Sequence, residues 1–267
     1  MPAPLKFLLY ELAVTNARRL AAFAHAVHAG TGRRSPRTLR EDFSGTGALA
    51  RAWLAAHKEH RAIVVDKDPG VTRHIPAVDR LRVRTADASK CRARADIIAA
   101  TNFAVGYFHE RGSLLRYLRN ACACLTANGV CFCDIYGGPG AWTVGTQRVR
   151  VHPERTDERQ IAGVPRSFVY EWQQHTADPL TGLVENAIHF SWREGKRTRR
   201  LDRAFTYHWR LWSIHELRDI MHEAGFHDVL VYTRLADAVD HEGNAHVAPA
   251  EPDDVRGDFV AYVIARR

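Results

Sequence analysis

The sequence has no long hydrophobic run, which argues against a helical membrane protein. No apolar stretch among its 267 residues approaches the roughly 18–20 residues that a membrane-spanning helix needs. The segment 5–29 is apolar only in patches, since Glu11, Arg18 and Arg19 interrupt it. It also lacks the basic start and unbroken apolar run of a signal peptide. We therefore expect a cytoplasmic protein that contacts no membrane.

Cysteine is scarce, and its spacing suits neither a disulfide framework nor a metal site. The five cysteines are odd in number. Cys122 and Cys124 fall in a helical pattern, and Cys131 and Cys133 fall in the strand pattern that follows. Residues two apart on a helix point to nearly opposite sides, so these thiols would not converge on one zinc ion. We expect reduced cysteines in the core and no metal.

Acidic residues are outnumbered, with 30 Asp and Glu against 38 Lys and Arg, which gives a net charge of +8. A basic balance is typical of proteins that bind nucleic acid. Here lysine is scarce and arginine abundant, a usage that also follows from a GC-rich genome. Nucleic acid is therefore a possible partner but not the favoured one.

A glycine turn between two strand patterns is the most informative feature that is present. Residues 39–47 read LREDFSGTG, and a helix-forming run follows the glycines at 45 and 47. A second strand pattern ends at Asp66, 19 residues after Gly47. Glycines let the backbone approach a ligand closely, and an acid at this distance can accept both hydroxyls of a ribose. The pattern therefore predicts a site for an adenosine-type cofactor.

The residues around the turn bear on which cofactor binds. A dinucleotide is formally allowed, with Gly45, Gly47 and Ala50 as the three small residues of its fingerprint. Glu41 and Asp42, however, precede the turn. Their carboxylates would repel a pyrophosphate and favour the sulfonium and amino groups of S-adenosylmethionine. S-adenosylmethionine is the favoured cofactor, and a dinucleotide-dependent oxidoreductase or a non-catalytic binding protein stays open as the alternative.

These motifs resemble those of the class I S-adenosylmethionine-dependent methyltransferases. The run 39–47 is similar to the glycine-rich first motif of that family, and the runs 65–69, 84–88 and 95–103 are similar to the next three. The whole chain resembles a bacterial subgroup of unknown substrate, with Arg-Glu-Asp-Phe-x-Gly-Thr early and Tyr-x-Trp-Arg-Leu-Trp late. The resemblance implies an α/β fold with a doubly wound, mostly parallel seven-stranded Rossmann-like sheet.

The resemblance also implies which residues bind the cofactor. Asp66 would bind the ribose, and the Asp87 side chain with the next backbone amide would hold the adenine. Phe43 stands where the first motif usually has its first glycine, so we expect it to narrow the pocket. Whether Glu41 or Asp42 meets the methionine amino group stays open. The full implied set is Glu41, Asp42, Phe43, Gly45, Gly47, Asp66, Lys67, Asp87, Ala88, Thr101 and Asn102. A Gly47→Val substitution is expected to block the cofactor while leaving the fold mostly intact.

Catalytic residues are less clearly marked. Methyl transfer from a sulfonium depends mainly on alignment, and a general base is needed only when the acceptor must lose a proton. Asn102 follows a predicted strand and could orient the acceptor, and Tyr136 ends another. His208 is the candidate base, although most of the 15 histidines are expected to be structural or exposed. The aromatic residues near His208 are read either as core or as an apolar acceptor pocket.

The patterns divide the chain into four segments. Residues 1–36 are expected to form an N-terminal helical cover, with one helix over 4–29, and residues 37–140 the cofactor-binding core. Residues 141–212 are expected to form an antiparallel β insert over the acceptor site, and residues 213–267 to complete the core sheet. The core strands are predicted near 37–42, 61–66, 81–85, 95–100 and 130–136, and the insert strands at 167–174, 183–193 and 200–211.

Taken together, the sequence predicts transfer of a methyl group from S-adenosylmethionine to an unidentified small-molecule acceptor. The insert favours an enclosed acceptor over an extended polymer. A methyltransferase that acts on RNA or protein is the alternative, and it depends on the basic charge balance. An exposed aromatic face on the insert would allow a homodimer.

Overall fold

The computed structural model describes residues 4–14, 16–29, 35–153, 163–235 and 248–267. The chain forms two compact units, one comprising Met1–Thr15 and Trp142–Arg210 and the other Asn16–Ala141 and Leu211–Arg267. Of the expected N-terminal cover, residues 1–3, 15 and 30–34 lie outside the described residues.

The helices are α1 (Leu5–Val14), α2 (Ala17–Ala29), α3 (Ala48–Ala56), α4 (Pro69–Thr72), α5 (Arg111–Cys124) and α6 (Ile214–Glu223). The strands are β1 (Thr38–Asp42), β2 (Arg61–Asp66), β3 (Leu81–Thr85), β4 (Ala95–Ala100), β5 (Leu125–Gly137), β6 (Gly145–Val151), β7 (Phe168–Asp178), β8 (Leu183–Glu194), β9 (Arg197–Arg210), β10 (Asp228–Tyr232) and β11 (Phe259–Arg266). Short 3₁₀ turns lie at Ala88–Lys90, Ala104–Tyr107, Pro139–Trp142 and Pro252–Val255.

The larger unit is built on the predicted seven-stranded sheet, in the order β10-β11-β5-β4-β1-β2-β3. Neighbours among β1 to β5 pair in parallel, whereas β11 pairs antiparallel with both β5 and β10. Every residue of β4 is buried, as a parallel strand covered on both faces requires. One face packs against α5 and α6 and the other against α2 and α3. The predicted fold class is confirmed, and β10 and β11 complete the sheet as an antiparallel hairpin.

The smaller unit is a four-stranded antiparallel sheet in the order β6-β7-β8-β9. Leu9 of α1 is fully buried against Phe168, Ile188 and Phe190. The prediction of three insert strands is wrong, because it misses a fourth strand, β6. Only Val149 and Val151 of its seven residues are apolar, and all but Val151 are exposed, so its apolar alternation is too short to reveal a strand.

The N-terminal segment also differs from the single helix that was predicted. Two separate helices, α1 and α2, stand in place of the single one. Asn16 accepts a hydrogen bond from the Arg19 N–H at 3.3 Å, as a helix N-cap does. Helix α1 belongs to the smaller unit and α2 to the larger one. A continuous apolar periodicity over 4–29 concealed this break, because both helices bury an apolar face.

The expected burial of the cysteines is confirmed. All five cysteines are buried and unpaired. Ser213 and Glu216 form the capping box that begins α6. In the described part of the chain no helix is long and apolar enough to cross a membrane.

Candidate active site

Polar side chains collect at the carboxyl edge of the seven-stranded sheet. Strands β1, β2, β4 and β5 run parallel, so their last residues lie along one edge, where ligands bind in sheets of this kind. Asp42, Asp66, Thr101 and Tyr136 lie at or directly after these strand ends. The structure therefore brings the predicted residues of the core to a single edge.

The glycine loop is tied directly to Asp66. The Gly45 N–H donates to Asp66 Oδ2 at 2.8 Å, and the Asp68 N–H donates to Oδ1 at 2.9 Å. The Ser44 N–H donates to the Val65 carbonyl at 3.1 Å. A carboxylate oxygen can accept more than one hydrogen bond, so Asp66 retains acceptor capacity for a ligand. These bonds join the first and second motifs into one structure.

The two glycines of this loop serve different purposes. Both have left-handed backbone, with φ of 51° at Gly45 and 71° at Gly47. A Cβ at Gly45 would meet no atom within 4 Å, whereas one at Gly47 would lie 3.2 Å from Val64 Cγ1 and 3.7 Å from Ile75 Cδ1. The open approach is therefore at Gly45. This geometry argues against the expectation that Gly47→Val leaves the fold mostly intact, because valine there would strain the backbone and crowd Val64.

Glu41 and Asp42 point to opposite faces of β1, as adjacent strand residues do. Both oxygens of Asp42 are used by Arg40, with Nε···Oδ1 of 2.8 Å and Nη2···Oδ2 of 2.7 Å, and Tyr117 Oη donates to Oδ2 at 3.1 Å. Arg40 and Asp42 are almost completely buried. This differs from the predicted cofactor contact, since Asp42 belongs to a buried ion pair inside the sheet.

Glu41 also has a partner within the protein, at the start of the helix that follows the glycine loop. Its Oε2 accepts a hydrogen bond from the Ala50 N–H, 2.8 Å, in the first turn of α3. A carboxylate there satisfies a free N–H and interacts favourably with the helix dipole. Of the two acids, Glu41 is the one that supports the glycine loop.

Phe43 has left-handed backbone, with φ of 55°. Glycine adopts this conformation freely, whereas a side chain there costs about 1–2 kcal/mol. The Phe43 ring packs among Tyr107, Phe108 and Tyr117, with centroid distances of 6.3, 5.8 and 5.6 Å. Aromatic packing thus offsets the strain, and the expected narrowing of the pocket stays a prediction.

Asp87 caps the turn at the end of β3. Its Oδ1 accepts from the Ser89 N–H and from Ser89 Oγ, at 2.9 and 2.7 Å. The hydroxyl of Ser89 is the main reason that the pKa of Asp87 is lowered, and the nearby Lys90 and Lys67 contribute. The carboxylate is exposed and ionised. A negatively charged acceptor therefore stands where the adenine was predicted to bind.

Two buried donors hold the segment that follows Asp87, and neither was predicted. Arg40 Nη1 donates to the carbonyls of Cys91 and Ala93, at 3.2 and 2.9 Å. Asn120 Nδ2 donates to the carbonyls of Ala88 and Cys91, at 3.3 and 2.8 Å. Their partners lie far away in sequence, so no local pattern could have revealed these roles.

The end of β4 has the most unusual backbone of the site. Asn102 and Phe103 are consecutive left-handed residues, with φ of 58° and 61°. Their N–H groups donate to Asp134, at 3.0 Å to Oδ2 and 2.7 Å to Oδ1. The ring of Phe103 lies 4.8 Å from that of Tyr136. Asn102 and Tyr136, both predicted as catalytic, thus belong to neighbouring parts of one structure, and Thr101 is buried beside them.

Asp134 was not predicted to matter. It is 5% exposed, and burial raises its pKa to about 6, although the bonds from Phe103 and Asn102 act in the opposite direction. The available signal was a single acid within the apolar strand 130–136. Such a residue is rarely buried without a specific partner.

His208 belongs to the smaller unit. It is exposed on β9, opposite Glu185 of β8. Its predicted role as a base stays a prediction. Among the described residues no group of three His, Cys, Asp or Glu side chains is arranged to hold a metal ion.

Comparison with known proteins identifies the fold. No family model matches the chain, and no curated protein sequence matches it. An S-adenosylmethionine-dependent methyltransferase from Clostridium acetobutylicum ATCC 824 matches with a TM-score of 0.67 at 15% identity, over 96% of each chain. A sugar N-methyltransferase from Streptoalloteichus sp ATCC 53650 matches with 0.67 at 17% identity, over 98% of this chain and 93% of that one.

An amino pentose methyltransferase from Micromonospora echinaspora, solved with S-adenosylmethionine bound, gives a TM-score of 0.70 at 12% identity, over 100% of this chain and 98% of that one. At these identities the matches establish the fold. The chain has the fold of the class I S-adenosylmethionine-dependent methyltransferases.

Proposed function

We propose that this chain, with its class I methyltransferase fold, transfers a methyl group from S-adenosylmethionine to a small-molecule acceptor. The observation that carries the proposal is the 2.8 Å bond from the Gly45 N–H to Asp66. It joins a loop with open space beside Gly45 to an acid at the end of the neighbouring strand. A ribose and the methionine chain attached to it need these two features side by side.

The proposed cofactor residues serve different parts of S-adenosylmethionine. Asp66 accepts hydrogen bonds from the ribose hydroxyls, and Asp87 with the Ala88 amide holds the adenine. The Gly45 loop approaches the methionine portion, and Glu41 supports that loop through α3. Lys67, near Asp87, borders the adenine side. When bound, S-adenosylmethionine supplies a methyl group on a positively charged sulfur, so the protein needs chiefly to align the acceptor.

The acceptor side is proposed to include Asn102 and Tyr136. Two of the structural neighbours are a sugar N-methyltransferase and an amino pentose methyltransferase. An amine on a small polar molecule is therefore the first acceptor to test. A side-chain amide can orient such a group by hydrogen bonding, and an amine that reacts in its neutral form needs no strong base.

Calorimetry on the purified protein tests the cofactor directly. We expect saturable binding of S-adenosylmethionine and S-adenosylhomocysteine and no binding of NADH. Tight binding of NADH without a response to the two sulfur nucleosides would overturn the proposal in favour of a dinucleotide enzyme. Radiolabelled methyl transfer to a panel of amino sugars and to total RNA then separates the acceptor classes. Salt-dependent RNA retention with RNA labelling would favour the polymer alternative.

The remaining expectations concern location and assembly. A cytoplasmic location and a homodimer that uses the aromatic face of the smaller unit are proposals. Light scattering after size-exclusion chromatography tests the dimer, since a mass near the 30.1 kDa of one chain would contradict it.

A further inference from the structure

The loop after β4 is held in an unfavourable conformation by one buried side chain. Asn102 and Phe103 both have positive φ, and Phe103 is a bulky residue for which this conformation is rare. The N–H groups of these two residues converge on one small concavity. Asp134 fills that concavity, with one carboxylate oxygen on each N–H. The conformation persists because two hydrogen bonds to a carboxylate on the neighbouring strand offset its strain.

The held conformation leaves one polar group without a partner. Asn102 is half-buried, and its only hydrogen bond within the described part of the chain is from its backbone N–H to Asp134. Its carboxamide follows β4, which is the neighbour of β1 and hence of the glycine loop. A half-buried amide beside a ligand site is available to a ligand.

We propose that Asp134 is a positioning residue that fixes the Asn102 carboxamide beside the sulfur end of the bound cofactor. This inference rests on the proposed function, because it needs the cofactor at the carboxyl edge of the sheet. Asp134 itself touches neither cofactor nor acceptor. It acts through the backbone of Asn102 and Phe103, and its two equivalent oxygens are what the two N–H groups require.

The charge on Asp134 makes this arrangement pH-dependent. Its pKa is raised to about 6 by burial, so it carries the charge at neutral pH and loses it in mild acid. The titratable groups that face it are Tyr262, opposite it on β11, and Cys133 on its own strand. Burial raises the pKa of Tyr262 to about 12 and that of Cys133 well above its usual range, so both stay neutral near pH 6. The loop is therefore held by a carboxylate whose own titration is directly observable.

The test uses the full chain with selective 15N labelling of asparagine and phenylalanine. In the wild-type protein we expect the backbone amide signals of Asn102 and Phe103 to titrate together, with a midpoint near pH 6. At pH 7.5, S-adenosylhomocysteine should shift the side-chain amide signal of Asn102. In Asp134→Asn, which places an NH₂ group against one of the two N–H groups, both effects should disappear, while affinity for S-adenosylhomocysteine changes by less than about fivefold.

Asp96→Asn is the matched control, since Asp96 also accepts two consecutive backbone N–H groups, from Arg37 and Thr38. It should leave both Asn102 signals unchanged. The inference is overturned if the wild-type amides do not titrate together, or if Asp134→Asn keeps the ligand-induced shift. Should Asp134→Asn fail to fold, the wild-type titration decides alone. A wild-type protein that shows the titration but binds no S-adenosylhomocysteine would overturn the proposed function and leave the loop role intact.

Discussion

Asp96 and Asp134 each accept two consecutive backbone N–H groups, at the amino and the carboxyl edge of the seven-stranded sheet respectively. Asp96 takes both on Oδ2, whereas Asp134 uses one oxygen for each. Asp96, at the start of β4, accepts the N–H groups of Arg37 and Thr38 at 2.8 and 2.9 Å. Asp134, near the end of β5, accepts those of Asn102 and Phe103. Burial alone would raise both pKa values, but for Asp96 the bonds from Thr38, Arg37 and Thr126 outweigh it and the pKa is lowered. For Asp134 burial outweighs the bonds.

The backbone that each carboxylate holds also differs. Thr38 begins an ordinary extended strand, whereas Asn102 and Phe103 are left-handed. Of the five non-glycine residues with positive φ in the described ranges, Phe43, Asn102 and Phe103 lie at the carboxyl edge. Strained backbone tends to cluster where ligands bind. The comparison indicates that Asp96 stabilises an unstrained backbone at the amino edge. At the carboxyl edge, Asp134 holds a strained backbone, whose geometry is maintained at a cost in stability.

The largest effect is expected from removing the Phe43 ring at the strained edge. Phe43→Ala should lower the free energy of unfolding by about 3 kcal/mol, because the aromatic packing is lost and the backbone strain remains. Phe43→Gly should cost about 1 kcal/mol less, since glycine adopts positive φ freely. Urea unfolding of the two variants measures the difference. An alanine variant as stable as the glycine variant would show that this backbone is not strained.

Asp66→Ala should weaken binding of S-adenosylhomocysteine by about 2–3 kcal/mol. The substitution removes charge-assisted bonds to the ribose and frees the Gly45 N–H. Calorimetry measures the loss, and Asp96→Asn serves as the control from the opposite edge. Equal affinities for Asp66→Ala and the wild type would mean that the ribose is not bound there.

Asp96→Asn should lower the free energy of unfolding by about 1–2 kcal/mol, because the bonds that the Arg37 and Thr38 N–H groups donate to Oδ2 would go to a neutral amide oxygen instead of a charged one. Affinity for S-adenosylhomocysteine should not change, since the amino edge lies away from the proposed site. Urea unfolding and calorimetry on the same preparation check both statements. A binding defect as large as that of Asp66→Ala would remove the distinction between the edges.

The smallest expected effect concerns the pH dependence of the unfolding free energy, which should differ in sign between titratable groups at the two edges. Burial lowers the pKa of His28, which is close to Asp96, and that of His60, which directly precedes β2. The unfolded chain therefore binds more protons near pH 6, and the stability from these histidines, present above pH 6.5, is lost as the pH falls. Asp134 has the opposite sign, because its pKa is raised. The stability linked to its protonation is present below pH 3.8 and is lost as the pH rises through about 6.

Unfolding experiments between pH 5.5 and 7.5 separate these contributions. His60→Phe keeps a ring stacked on Trp53, where the centroids are 3.9 Å apart. The wild type should lose on the order of 0.5–1 kcal/mol of unfolding free energy at acidic pH through His60, and the His60→Phe variant should not. Asp134→Asn should instead gain stability relative to the wild type as the pH rises toward about 6, and the gain should level off at higher pH. A wild-type pH dependence that neither variant alters would contradict the assignment of both groups.

The core of the fold was predictable because its signals are local. Apolar strands alternate with helical patterns, and the glycines at 45 and 47 and the acid at 66 have the spacing that a βαβ unit imposes. Strand β6 was missed because its residues are largely exposed, and the break at Asn16 was missed because α1 and α2 are both amphipathic. Hydrophobic periodicity reports which residues are buried, not which partner buries them.

The sequence by itself thus determined the seven-stranded sheet, the order of its motifs and the edge at which they meet. Only the tertiary structure decided what each carboxylate does there. Asp42 binds Arg40 and also Tyr117, which is 75 residues further along the chain. Asp134 accepts the N–H group of Phe103, which is 31 residues before it in the chain. The physical reason is that the role of an acid depends on its burial and on the donors that surround it. Those donors come from elements that only folding brings together.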